Sequence, residues 1–168
     1  MKLTVIIYFL ILFSVISVAQ NKIIIDSKTS APMLIGEINR QAFQDSVFSW
    51  WFNSEYLMYE VDSTSLKSNV NALRNYDITL VLGTWCSDSR REVPRFFKIL
   101  DYLNYQKDKI KIFAVDRSKK GLNNEVDSLN IQKVPTIIFY KNNKEFGRII
   151  EEPKVTLEKD MANIVTKK

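Results

Sequence analysis

The sequence predicts an α/β domain with a mixed central sheet, helices on both faces and an additional helix on its N-terminal side. Three observations carry this. From residue 63 onward, apolar runs of strand length alternate with stretches of helical periodicity. The last two runs are joined by the short polar turn Lys141-Asn142-Asn143-Lys144, which makes them a hairpin. The chain's one cysteine lies in Gly83-Thr84-Trp85-Cys86-Ser87-Asp88-Ser89, directly after the apolar run Ile78 to Leu82 and before a helical pattern. Strands joined through helices are expected to lie parallel, and the hairpin adds an antiparallel strand.

Residues 1–19 read as a signal peptide. Lys2 precedes an almost wholly apolar stretch, Val5 to Val18, which ends in Ser17-Val18-Ala19 with small residues where a signal peptidase reads. The stretch is shorter than the roughly 20 residues of a membrane span. Cleavage after about Ala19, a periplasmic or secreted mature protein and no stable membrane insertion are therefore expected. No cysteine follows the run, which excludes a lipoprotein signal.

Residues 20–62 are expected to form a lead-in and an amphipathic helix packed on the main domain. Ile23-Ile24-Ile25 is a short β-like run that suits a mobile lead-in or an edge strand, followed by polar and turn residues through Pro32 and Gly36. From Asn39 to Tyr59, Phe43, Val47, Trp50 and Leu57 fall at helical spacing, with Ser54 as the polar exception and Trp51 and Phe52 widening the face. A stripe with this period is expected to pack in the core.

The domain of residues 63–168 begins with a helix capped by Asp62 or Ser63 and running to about Leu73, with Leu66, Val70 and Leu73 on one face. Ile78 to Leu82 is a strand. After the cysteine, Val93, Phe96, Phe97, Leu100 and Leu103 keep one helical apolar face while Arg91, Arg95 and Lys98 take the solvated side. Lys111 to Asp116 reads as a strand with an acidic end, and Leu122 to Leu129 as a short helix. Val134 to Tyr140 is a buried strand with Pro135 near its start, and Glu145 to Ile150 is its hairpin partner. Pro153 stops that strand, and Thr156 opens a last helix, Leu157 to Val165.

Composition narrows the chemistry. A chain of 168 residues, less its signal, suits one domain that buries about two-thirds of its unfolded surface. The formal charge of +5, with both signs interspersed, is too mild to argue for nucleic acid. The chain has no histidine, which removes Cys-His nucleophilic pairs and the commonest metal ligand, and one cysteine cannot build a thiolate cage. Neither a metal nor another cofactor is expected. A lone cysteine in an exported chain is reactive, shielded or paired with another molecule, and a disulfide-linked dimer is one form of such pairing.

Trp85-Cys86 at a strand-to-helix junction, Pro94 eight residues after the cysteine, the strand ending at Asp116, and Val134-Pro135-Thr136 opening the hairpin together resemble the thioredoxin family. The resemblance covers roughly residues 63–166. It is closest to bacterial thioredoxin-like proteins whose motif reads Trp-Cys-x-Asp-Ser, here Trp85, Cys86, Ser87, Asp88 and Ser89. It implies a thioredoxin-like fold and a role in cell redox homeostasis. It also implies that Pro135 is a cis-proline facing Cys86, with Val134, Pro135 and Thr136 docking the backbone of an extended partner. Only X-Pro bonds adopt cis at modest cost, so that place requires a proline. Pro94 is expected to kink the cysteine helix without ending it.

A cysteine at a helix N-terminus faces unpaired amides and the positive end of the helix dipole, which favour thiolate, and Arg90 and Arg91 push the same way. Asp88 either opposes them by charge or serves as the carboxylate of the first helical turn. Ser89 stands where a Cys-x-x-Cys motif has its second sulfur: its hydroxyl can donate to the thiolate but cannot attack a disulfide. By the resemblance, a buried acid usually sits six residues before the cysteine, and this chain has Leu80 there.

The expected function is monothiol exchange by Cys86, with Ser89 assisting, through intermolecular mixed disulfides with protein or small-molecule thiols and disulfides. The alternative is a redox-inactive binding module that uses the groove beside Pro135. Trp85 and Pro135 favour the first, Leu80 and Ser89 the second. A peroxidase would need a Thr and an Arg around the thiol. Thr84 and Arg90 are nearby, but the Trp-Cys-x-x-Ser frame belongs to exchange proteins.

Overall fold

The structure, a computed structural model, describes residues 21–66 and 70–166. The expected signal peptide lies outside the described residues. Six strands form one mixed sheet: β1 (Lys22–Ile25), β2 (Pro32–Ile38), β3 (Asp77–Leu82), β4 (Ile110–Ala114), β5 (Thr136–Lys141) and β6 (Lys144–Ile150). Their order is β1-β2-β4-β3-β5-β6. The helices are α1 (Ser46–Met58), the short α2 (Ser63–Leu66) and α3 (Val70–Leu73), α4 (Ser87–Tyr102) and α5 (Leu157–Thr166). β3 lies inside the sheet, and Ile78 through Leu82 are all buried, as an unbroken apolar run requires when both faces are covered.

Alternate residues of β3 face different clusters. Ile78, Leu80 and Leu82 join the main core with side chains from α1, α4 and α5, whereas Val81 packs with Val115, Val126 and Val134. The connection between β4 and β5 therefore closes the second face.

That connection corrects two expectations. β3 and β4 are parallel, as expected, but β5 runs antiparallel to β3, with Thr136 opposite Val81. β4 ends and β5 begins at the same end of the sheet, so the chain needs no crossover helix to carry it back. The segment expected as a helix over Leu122 to Leu129 keeps only a 3-10 turn at Asp127–Leu129, with left-handed residues at Asn124 and Asn130 on either side of it.

The N-terminal segment also departs from its expected form. Ile23 to Ile25 does form an edge strand, but the polar and turn stretch expected through Gly36 contains β2, which pairs antiparallel with both β1 and β4. Gly36 has a left-handed φ of 82°, and a Cβ added there would come within 2.9 Å of the Leu122 Cβ, so the turn-like residue is needed inside a strand.

The helix expected from Asn39 to Tyr59 divides into a 3-10 segment, Arg40–Gln44, and α1. Asp45 makes the break and caps α1, its carboxylate accepting the Val47 N–H at 2.9 Å. This resets the helical phase. Phe43 is buried from the 3-10 segment, while α1 buries Phe48, Trp51 and Phe52; Val47, Trp50 and Leu57, expected in the core, are exposed. The Phe43 and Phe52 rings stack with centroids 4.9 Å apart, and both lie 6.0 Å from the Phe97 ring of α4.

Asp62 caps α2 by accepting from the Ser65 amide at 3.2 Å and the Ser65 hydroxyl at 2.6 Å, as expected. The helix expected through Leu73 is seen as α2 and α3, with Leu66 and Leu73 buried; residues 67–69 and the Val70 side chain lie outside the described residues. α4 continues through Pro94, which is buried within it.

Candidate functional site

β3 hands the chain to α4 through a tight turn in which the Cys86 N–H donates to the Gly83 carbonyl at 2.9 Å. Cys86 is the N-cap of α4, and its carbonyl accepts the first helical bond, from the Arg90 N–H at 3.1 Å. The strand end, the turn and the helix start thus fix the sulfur in space. Cys86 is half-buried, and its thiol donates to the Val134 carbonyl at 3.2 Å. The Val134–Pro135 peptide is cis. The Thr136 hydroxyl donates to the Lys133 carbonyl at 2.7 Å, so Thr136 is buried as a brace of this turn. Cys86 is thus brought against the Val134-Pro135-Thr136 segment, with 48 residues along the chain between Cys86 and Val134.

Ser89 is fully buried, and its hydroxyl oxygen accepts the Gly83 N–H at 3.2 Å. Its hydrogen bond is to the turn and not to the sulfur expected from the sequence. The reason is local: the Gly83 amide lies buried beyond the end of the β3 ladder and needs an acceptor. Asp88, in the first turn of α4, forms an ion pair with Arg91 at 3.0 Å, and one of its oxygens lies 4.0 Å from the Cys86 sulfur. Arg91 is paired with Asp88 and with Glu92, at 2.6 Å from the latter, so its charge is balanced by carboxylates and not by the thiol. Ser87 is exposed at the start of α4.

Trp85 folds back over the turn, and its indole N–H donates to the Val115 carbonyl at 2.8 Å. A Cβ at Gly83 would lie 2.6 Å from the ring, so only glycine leaves room for it. The Arg117 guanidinium sits over the indole, 4.9 Å from the ring centroid. Arg117 is in turn held by Asp26 of the β1–β2 turn, with contacts of 3.0 Å from Nε and 2.7 Å from Nη2. The Thr29 hydroxyl at 2.6 Å and the Lys28 amide at 3.1 Å complete the shell of this carboxylate, which is 1% exposed. The Arg117 and Thr29 hydrogen bonds hold the Asp26 carboxyl well below the usual carboxylate range, outweighing its burial.

Sequence reasoning missed Gly83, Arg117 and Asp26. Only Asp26 carries a local signal, because Asp26-Ser27-Lys28-Thr29 is a pattern suited to an Asx turn. Thr84 is buried, and its hydroxyl accepts the Leu34 N–H at 3.1 Å, so it secures β2 to the turn that precedes Cys86. Leu80 is wholly buried among apolar side chains, leaving no acid beneath the turn at that position. A cavity of about 300 Å³ opens beside Trp85, lined by Asp26, Thr29, Pro32, Arg90 and Arg117 among others. Among the described residues no cluster of His, Cys, Asp and Glu could hold a metal ion, and no helix is long and apolar enough to cross a membrane.

A family model described as thioredoxin matches residues 58–163, and the chain belongs to that family. It is similar to the mitochondrial thioredoxin O of Oryza sativa subsp. japonica, with 27% identity over 101 residues, 60% of this chain and 56% of the relative. The chain thus spans little more than half the length of that curated relative. Among solved structures, thioredoxin O2 of Arabidopsis thaliana in its oxidised state is 20% identical, covering 52% of this chain and 75% of its own, with a TM-score of 0.34. A protein of unknown function from Pseudomonas aeruginosa is 14% identical, covering 70% of this chain and 81% of its own, with a TM-score of 0.41.

Proposed function

We propose that this thioredoxin-family chain is a monothiol exchange protein of the cell envelope, working through intermolecular mixed disulfides at Cys86. The observation that carries this reading is the placement of the chain's one thiol, half-exposed at the start of α4 with its S–H on the Val134 carbonyl. In the first step the Cys86 thiolate attacks one sulfur of a partner disulfide. A Cys86–partner S–S bond forms, the partner's S–S bond breaks, and the other partner sulfur leaves as a thiolate that takes up a proton. The S–H contact is then gone, and the Val134 carbonyl is free to accept a backbone N–H from the partner beside Pro135. Ser89 carries no sulfur, so release requires an outside thiolate. That thiolate attacks the partner's sulfur in the mixed disulfide, and Cys86 leaves as the thiolate. Ser89 serves by holding the Gly83 turn that positions the cysteine.

A second reading, a binding module without redox turnover, is favoured by the engagement of the Ser89 hydroxyl with Gly83 and by the apolar Leu80. The two readings separate in one experiment. The mature protein is mixed with a neutral aromatic disulfide, and released thiol and intact mass are followed. Exchange gives one aromatic thiol per chain and a stable adduct that added thiol removes. An adduct that forms only after unfolding would establish the second reading.

A further inference from the structure

We infer that the cavity beside Trp85 is an anion subsite, which takes the carboxylate of a small thiol compound while that compound's sulfur is joined to Cys86. This deepens the exchange reading and rests on it for the role of the sulfur, though not for the binding of the anion.

The charges around the cavity decide its sign. Asp26, Arg90 and Arg117 are the ionisable groups that line it. The Asp26 carboxylate is enclosed, and it is bound by Arg117, the Thr29 hydroxyl and the Lys28 amide. Arg117 gives Nε and Nη2 to that carboxylate. Arg90 uses Nε on the Thr84 carbonyl at 2.6 Å, and among the described residues its charge has no carboxylate partner. One cation is thus balanced and the other is not, so the cavity presents net positive charge. Guanidinium groups with unspent N–H donors suit a carboxylate, which accepts two such bonds in one plane.

Size and position restrict the ligand further. About 300 Å³ is at the low end of small-molecule sites and fits a group of amino-acid dimensions. Ala31, Pro32 and the Trp85 ring provide apolar walls for a short aliphatic stem. The cavity is flanked by the residue before Cys86 and by Arg90, whose backbone amide bonds the Cys86 carbonyl one helical turn on. The Arg117 guanidinium lies over the Trp85 ring, 4.9 Å from its centroid, so the basic wall adjoins the residue directly before Cys86. A monothiol protein needs an external thiol in each cycle, and a carboxylate-bearing thiol is one that this wall would select. The step conserves atoms and electrons: Cys86–S⁻ + R–S–S–R gives Cys86–S–S–R and R–S⁻, with the carboxylate of the bound R group against Arg90.

Two measurements test this. Binding is read first on Cys86→Ser, where no exchange occurs, by titrating 3-(methylthio)propionate and its neutral amide while following the side-chain N–H resonances of Trp85 and Arg90. The expected result is a saturable shift with the carboxylate and none with the amide. Equal response to both, or to neither, overturns the subsite without reference to exchange. The second measurement is the rate of adduct formation at Cys86 with the disulfides of 3-mercaptopropionate, 2-mercaptoethanol and cysteamine, each normalised to an unstructured cysteine peptide. The anionic disulfide is expected to be favoured over the cationic one by about tenfold, the lower end of what charge-assisted hydrogen bonding provides. Arg90→Gln should abolish the preference, and Arg90→Lys should retain part of it. A preference unaffected by Arg90→Gln overturns the assignment. A carboxylate shift in Cys86→Ser together with an inert Cys86 would overturn the exchange reading and leave the subsite standing.

Discussion

Arg117 grips the buried Asp26 carboxylate through Nε and Nη2, and the same contact lays its guanidinium over the Trp85 ring. A residue of the β1–β2 turn thereby sets the position of the aromatic group next to Cys86, although it lies 91 residues from Arg117 in sequence. The sign of its pH effect follows from the lowered carboxyl. The folded state binds fewer protons than the unfolded state, so Asp26 contributes stability above the ordinary carboxyl range near pH 4. That contribution is lost progressively as the pH falls toward the folded value. Asp26→Asn should therefore lower the denaturation midpoint at pH 7 and flatten its decline between about pH 5 and pH 2. Parallel curves for the two proteins would show that Asp26 is not the group responsible.

Gly83→Ala tests the fit of Trp85 against the turn. The added methyl would lie 2.6 Å from the indole, which must tilt away and weaken the 2.8 Å bond to the Val115 carbonyl. Overpacking of this kind costs about 1–3 kcal/mol. Denaturant titration should show that loss, and the Trp85 indole N–H resonance should move toward its solvent-exposed position. An unchanged resonance would mean that the turn had yielded and the ring had not.

The reset of helical phase at Asp45 gives a paired prediction. Phe52 is 2% exposed between Phe43 and Phe97, so Phe52→Ala should cost about 3–5 kcal/mol. Trp50 is 65% exposed, so Trp50→Ala should change stability by no more than about 0.5 kcal/mol. A helix continuous from Asn39, with the stripe read from the sequence, would place Trp50 in the core and give it the larger loss. Equilibrium unfolding of the two variants distinguishes these arrangements.

Legibility in the sequence followed the range of the interactions. The run Ile78 to Leu82, the hairpin across Asn142-Asn143, the capped start at Asp62 and the cysteine junction are all local patterns, and all were readable. β2 was obscured because Gly36 reads as a turn residue unless Leu122, distant in sequence, is known to lie against it. The direction of β5 depends on which end of the sheet the connection from β4 returns to, which periodicity does not encode. At the site, Cys86 stands out as the chain's one cysteine at a strand-to-helix junction, and Val134 and Pro135 are reached through the family resemblance that the combined motifs carry. Asp26 and Arg117 were not, since an ion pair closed by tertiary structure leaves no spacing to read.

Ser89 offers the clearest test of how the site is built. Its hydroxyl accepts the buried Gly83 N–H, and that amide would be left without a partner in Ser89→Ala. The expected loss is about 1–3 kcal/mol of stability, the cost of an unsatisfied buried donor. The proposed exchange uses the Cys86 sulfur and the Val134 carbonyl opposite it, neither of which changes identity in this variant. The rate of adduct formation with a neutral disulfide should therefore stay within a few-fold of the parent at temperatures where both proteins are folded. Ser89→Thr, which keeps the hydroxyl, should recover part of the stability if the buried site admits its methyl. If Ser89→Ala instead slowed exchange by a hundredfold at undiminished stability, the hydroxyl would be acting on the sulfur directly, and the serine would belong to the reacting groups and not to the turn that positions them.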